Sequence, residues 1–149
     1  MEEIIKLLNE KKIRYLVIGG QAVRLHGMPR FTMDWDLFIP RKDNENLNLL
    51  NKVLEPYLDM PVEPIGPKGQ NFVQTYQTQF GVIQFHLAPL GIPDFDEAEK
   101  SHDIFNIESG VPVKCISTKH LLDSKLSTAR PKDGDDISFL KRLIEKQPN

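Results

Sequence analysis

A chain of 149 residues with 40% hydrophobic side chains can bury one sizeable core but is short for two, so a single domain over 1–149 is expected. With 27% charged residues and a net charge of -2, it lacks the broad positive field of a non-specific nucleic-acid binder. No apolar run is long enough to span a bilayer, and Met1-Glu2-Glu3 is unlike a secretory leader, which points to a cytoplasmic protein with no membrane partner. The lone cysteine, Cys115, excludes an internal disulfide or a cysteine-rich metal site and reads as a small core residue.

Ile4, Ile5, Leu7 and Leu8 form an apolar stripe between acidic Glu2 and Glu3 and basic Lys11 and Lys12, an order that suits the helix dipole and predicts a helix over 2–11. Ile13 to Ile18 is rich in β-branched and aromatic side chains and stops at Gly19-Gly20, which predicts a buried strand. A short helix from Gln21 to Leu25 follows, ended by Gly27 and Pro29. Thr32 to Ile39 reads as a second strand, closed by Pro40. Asp43 is placed to cap a helix whose Leu47, Leu50, Val53 and Leu54 share one face.

Residues 56–69 hold four prolines and two glycines and read as a turn-rich connector. Phe72 to Phe80 and Val82 to Leu87 alternate in character around Gly81, the pattern of an antiparallel pair joined by a tight turn. Val111 to Ile116 supplies one more short strand, and helices are expected over 118–129 and 132–146. The last carries Asp133, Asp135 and Asp136 early and Lys141, Arg142 and Lys146 late.

Two local patterns carry chemistry. A strand that stops at Gly19-Gly20 before a helix lets backbone N–H groups approach a phosphate closely, although the same dipeptide also serves plain turns. Asp34 and Asp36 are two apart on the expected strand, so their side chains share a face while Trp35 and Leu37 point to the core. Paired carboxylates repel unless a cation lies between them, and such oxygen donors suit Mg²⁺ or Mn²⁺, which complete their shells with water and phosphates. The alternative is a solvated strand end with two exposed acids, which sits poorly beside Trp35, Leu37, Phe38 and Ile39.

The order Gly19-Gly20-x-Ala22, His26-Gly27, Arg30-x-Thr32-x-Asp34-x-Asp36-Leu37 resembles the nucleotidyltransferase-fold superfamily, in particular its small bacterial members related to the toxin halves of abortive-infection systems. A looser likeness continues through Phe95 to Ala98, Lys125, Arg130 to Asp133 and Asp136-Ile137. The resemblance implies an α/β (α+β) domain, a mixed sheet flanked by helices with a helical C-terminal end. It implies transfer of a nucleoside monophosphate from a nucleoside triphosphate to an acceptor that the sequence does not name: RNA, protein or a small molecule. Gly19 and Gly20, with Arg30, Thr32 and Lys125, would hold the triphosphate, and Asp34 and Asp36 would hold Mg²⁺ or Mn²⁺ for attack on the α-phosphate.

The chain departs from that family in one respect. The family adds a third carboxylate from a neighbouring strand, but the stretch from Pro64 to Pro93 contains no Asp or Glu. The matching position is Gln84, with His86 two residues on and on the same strand face. Gln84 offers a carbonyl oxygen to a metal but no base. His86 is the candidate catalytic base or ligand, or else a partly buried hydrogen-bonding residue. Lys125 is alternatively a solvated helix lysine, and Arg130, Lys132 and Asp133 read as a tether between the last two helices. Without the third acid, a domain that binds nucleotide, metal or a protein partner without turnover is the other reading.

Overall fold

In the computed structural model of the chain, residues 1–107, 109–128 and 130–147 are described. Helix α1, Glu2–Glu10, presses Ile4, Ile5 and Leu8 into the core, the stripe its sequence spells out. Strand β1, Leu16–Ile18, is buried at all three positions, as a strand covered on both faces must be. It runs directly into α2, Gly19–Leu25, so the helix begins two residues before the expected Gln21.

Strand β2 is Trp35–Phe38, and α3, Asn44–Leu54, is capped by the Asp43 carboxylate, which accepts the Asn46 N–H at 3.0 Å. Strands β3, Val73–Thr78, and β4, Gly81–His86, make the expected hairpin. The Thr78 hydroxyl donates to the Gly81 carbonyl at 2.7 Å and so fastens the turn. Strand β6, Pro112–Cys115, and helix α5, Thr118–Thr128, lie where expected, while Ala129, the last residue foreseen for that helix, lies outside the described residues. A 3₁₀ turn over Pro131–Asp133 leads into α6, Gly134–Lys146.

Two elements have no sequence forecast: helix α4, Phe95–Glu99, and strand β5, Asp103–Asn106. Helix α4 is five residues long and buries only Phe95 and Ala98, too little for a visible period. Strand β5 is an edge strand that pairs only with β6 and is mostly exposed, so no alternation marks it.

The six strands form one mixed sheet in the order β3-β4-β2-β1-β6-β5. Strand β2 is central, antiparallel to β1 and parallel to β4, with Ile18, Asp36 and Gln84 in one row. Ile18 opposite Asp36 is the last pair on that side, because the chain turns into α2 at Gly19. Residues 32–34 therefore have no β1 partner, and the strand begins at Trp35 rather than Thr32; Asp34 sits just before it. Trp35 is half-buried, whereas Leu37 is fully buried as expected. Cys115 is a buried core residue, and burial pushes its thiol pKa far up, so it stays protonated. No helix among the described residues is long and apolar enough to cross a membrane.

Candidate functional site

The glycine turn is set by close approach. Gly19 has φ +69°, and a Cβ there would lie 2.6 Å from Asp36 Oδ2. A Cβ on Gly20 would lie 3.1 Å from Thr32 Oγ1 and 3.4 Å from Arg30 Nη2. Any side chain at Gly19 would be strained and would push the Asp36 carboxylate away. The turn, Arg30, Thr32 and Asp36 are thus one packed unit.

The next wall comes from β4. Gln84 stands beside Asp36 in the parallel ladder, and His86 lies one step further on the same face. His86 Nε2 is 2.8 Å from Asp36 Oδ1, with both side chains about one-fifth exposed. A carboxylate only accepts, so Nε2 is the donor of this bond. Oδ1 of Asp36 thus orients His86 while Oδ2 faces Gly19.

The third wall is an ion cluster. Lys125 is 7% exposed, so the solvated-lysine alternative is overturned: its Nζ is 3.1 Å from Asp133 Oδ1 and 3.3 Å from Asp136 Oδ2. A buried ammonium needs such partners, and two carboxylates supply them. Arg130 Nε donates to Asp133 Oδ2 at 2.9 Å and Lys125 Nζ to Asp133 Oδ1 at 3.1 Å, so Arg130 and Asp133 join α5 to α6 as expected, but with Lys125 rather than Lys132 as the third member. Burial by itself would raise the Asp133 pKa, but the bonds from Arg130 and Lys125 outweigh it and leave the carboxyl below its usual 3.8. The resulting stabilisation is present above the ordinary carboxylate range and is lost as pH falls through the lowered folded value. Arg30 Nη1 bonds Asp136 Oδ2 and joins the loop before β2 to the same cluster.

These walls enclose an open cleft of about 760 Å³, a size usual for a small-molecule site. Gly19, Gly20, Arg30, Thr32, Asp34, Asp36, Gln84, His86, Lys125, Arg130, Lys132 and Asp133 all line it. Every residue singled out from the sequence for catalysis, nucleotide or metal is therefore on one concave surface. His26, which belongs to the same motif, does not line the cleft: its Nε2 donates to the Ile116 carbonyl at 2.8 Å and its ring meets Phe105 edge-on, so it holds the loop.

Two features escaped the sequence reading. One is the apolar rim: Phe72, Ala88, Pro89 and Leu90 line the cleft, with Phe72 and Leu90 more than half exposed. The loop bearing Leu90 is fixed to α5 by the Ser124 hydroxyl, which donates to the Leu90 carbonyl at 3.0 Å. The other is the role of Asp136, for which the three-residue spacing from Asp133 at the start of a helix was the available signal.

Two carboxylates and an amide oxygen are hard donors, and the set fits Mg²⁺ or Mn²⁺ in type. Among the described residues no group of three His, Cys, Asp or Glu side chains is placed to hold an ion. An ion there would need water and a phosphate ligand to complete its shell.

No protein-family model and no curated protein sequence matches the chain. Solved structures do. The lincosamide antibiotic adenylyltransferase LnuA, in its lincomycin-bound form, superposes with TM-score 0.62 at 17% identity, covering 95% of this chain and 94% of that one. A candidate nucleotidyltransferase from Thermotoga maritima gives 0.66 at 14% identity, covering 97% and 90%. ANT(2'')-Ia, in complex with adenylyl-2''-tobramycin, gives 0.61 at 18%, covering 95% and 85%. The chain has the nucleotidyltransferase fold, a mixed sheet with flanking helices; at these identities the likeness is one of fold.

Proposed function

We propose that this protein is a metal-dependent nucleotidyltransferase that moves a nucleoside monophosphate from a nucleoside triphosphate to a hydroxyl of a small molecule. The observation that carries the reading is the convergence of the glycine turn, Asp34, Asp36, Gln84, His86, Arg30 and Lys125 on one cleft. Kinship with the abortive-infection enzymes rests on the residue pattern alone. The choice of a small acceptor draws on the cleft volume and on two fold neighbours, one bound to lincomycin and one to an adenylylated tobramycin.

Arg30, Thr32 and the Gly19-Gly20 turn would hold the triphosphate, with Lys125 adding charge from α5. Asp34 and Asp36, with the Gln84 carbonyl, would hold Mg²⁺ or Mn²⁺, which supplies charge neutralisation at the attacked α-phosphate. His86 Nδ1 is the group available to take the acceptor hydroxyl's proton, its ring fixed by the Nε2 bond to Asp36. The new bond joins the acceptor oxygen to the α-phosphorus, and the bond to the β-phosphate breaks with release of pyrophosphate. The apolar rim at Phe72 and Leu90 suits the body of an acceptor better than a phosphate.

A second reading, binding without turnover, is favoured by one observation: an amide, Gln84, stands beside Asp36 where the fold family has an acid. Incubation with each of four α-labelled triphosphates, Mg²⁺ or Mn²⁺ and a small-molecule extract, RNA or cell protein separates the two. Label on a small molecule with stoichiometric pyrophosphate is the expected result. Label only on RNA or protein would correct the acceptor, and triphosphate binding with no transfer in any mixture would leave the binding module.

A further inference from the structure

Asp136 is 3% exposed on α6 and is not among the residues lining the cleft, yet two cleft cations meet on it. Its Oδ2 takes Nη1 of Arg30, from the segment between α2 and β2, and lies 3.3 Å from Nζ of Lys125 on α5. Two cations so close to one oxygen would repel each other in its absence. With Nη1 engaged, the Arg30 guanidinium packs against the glycine turn, its Nη2 3.4 Å and its Cζ 3.5 Å from where a Gly20 Cβ would be.

We propose that Asp136 is a positioning residue for a triphosphate: one buried carboxylate locks Arg30 and Lys125 into a single anion clamp beside Gly20 without touching the ligand itself. The inference rests on the nucleotidyl-transfer reading above. Net charge alone argues the opposite sign, since removing a carboxylate makes the cleft more positive and draws phosphate more strongly. Geometry outweighs it. Arginine recognises phosphate through a rigid fork whose value depends on its aim, and releasing Nη1 frees a long side chain that must be reordered on binding.

The test is calorimetry of Mg²⁺ with ATP, CTP, GTP and UTP on the unmodified protein, Asp136→Asn, Arg30→Met and the double variant. Asp136→Asn should weaken the tightest triphosphate by about tenfold, raise KM more than it lowers kcat, and cost clearly less in the Arg30→Met background, where only Lys125, still held by Asp133, is left to release. Tighter binding in Asp136→Asn, or losses that simply add, would overturn the clamp. Arg30→Lys decides the matter should Asp136→Asn fail to fold: it keeps the charge and loses the fork, so affinity equal to the unmodified protein also overturns it. An NMR arm needs no nucleotide, because the Arg30 Nη1–H bonded to Asp136 should exchange slowly in the unmodified protein and fast in Asp136→Asn. If the unmodified protein binds none of the four triphosphates, the transfer reading falls; an Arg30 signal indifferent to Asp136→Asn removes the clamp itself.

Discussion

Two cation–carboxylate clusters join distant parts of this chain, and they differ in what lies beyond the cation. Arg14 is ringed by Asp43 at 3.1 Å, Asp96 at 2.5 Å and Glu99 at 2.9 Å, and stacks over Phe95. Its pKa is pushed above the already high guanidinium value, chiefly by the bonds it donates to Glu99, so the charge is permanent. Its donors engage three carboxylates and tie α3 and α4 to the segment before β1, beside a separate hollow of about 240 Å³ that Arg14 lines with Arg41, Lys42 and Asp43. Arg30 and Lys125 share Asp136, with Asp133 as a further partner of Lys125, and both cations face the cleft. Both clusters border a concavity, so what separates them is its size and lining: about 760 Å³ with the glycine turn, Asp34 and Asp36 beside Arg30 and Lys125, against about 240 Å³ beside Arg14.

The largest effect expected in the cleft is from its own acids. Asp34→Asn with Asp36→Asn keeps shape and removes the charge that a divalent ion needs, so Mg²⁺-dependent triphosphate binding should fall by roughly 100-fold or more. Calorimetry with and without Mg²⁺ reads it. Equal affinity in both conditions before and after the change would mean that the cleft is a plain anion site, and the contrast with the Arg14 cluster would lose its catalytic half.

A smaller change sharpens the role of β4. Gln84→Asp adds a third carboxylate beside Asp36 in the ladder, which should strengthen divalent binding and raise transfer by about tenfold through added Coulombic attraction. His86→Ala should lower transfer instead, because it removes the only imidazole lining the cleft among the described residues and the orienting bond to Asp36. Transfer rates of the two variants against the unmodified protein decide. A rise in neither and a loss in neither is what a binding module would show.

How far the site was legible in the sequence follows from distance along the chain. Gly19-Gly20 and the Asp34-x-Asp36 pair could be read because a turn and a two-residue period are local signals, and Gln84 and His86 because β4 alternates cleanly. The start of β2 could not, since it depends on where the pairing with β1 and β4 stops, at Ile18 and Ile83, and neither is a local signal. Helix α4 and edge strand β5 bury too little to leave a pattern. The state of Lys125 was undecidable for a different reason: a lysine on a helix is exposed or buried according to partners, and Asp133 and Asp136 become its partners only when α6 folds back on α5.

The smallest expected effect lies in the cluster remote from the cleft, and it is the control on which the contrast depends. Arg14→Gln removes three ion pairs whose members are about one-third exposed or more, and pairs so placed are worth roughly 0.2–1 kcal/mol each. The loss is not limited to their sum, because Asp43, Asp96 and Glu99 would then face one another with no cation between them. Asp43 still caps α3 through Asn46, and the Asn46 side chain still accepts the residue-14 backbone N–H at 2.7 Å, so the helix keeps its anchor. Denaturant unfolding should therefore show a stability loss of about 1–2 kcal/mol with an unchanged slope. Triphosphate affinity should stay within experimental error of the unmodified protein. If affinity instead drops as far as in the Asp136→Asn variant, the two clusters are coupled through the sheet, and position beside the cleft is no longer what separates a structural cation from a functional one.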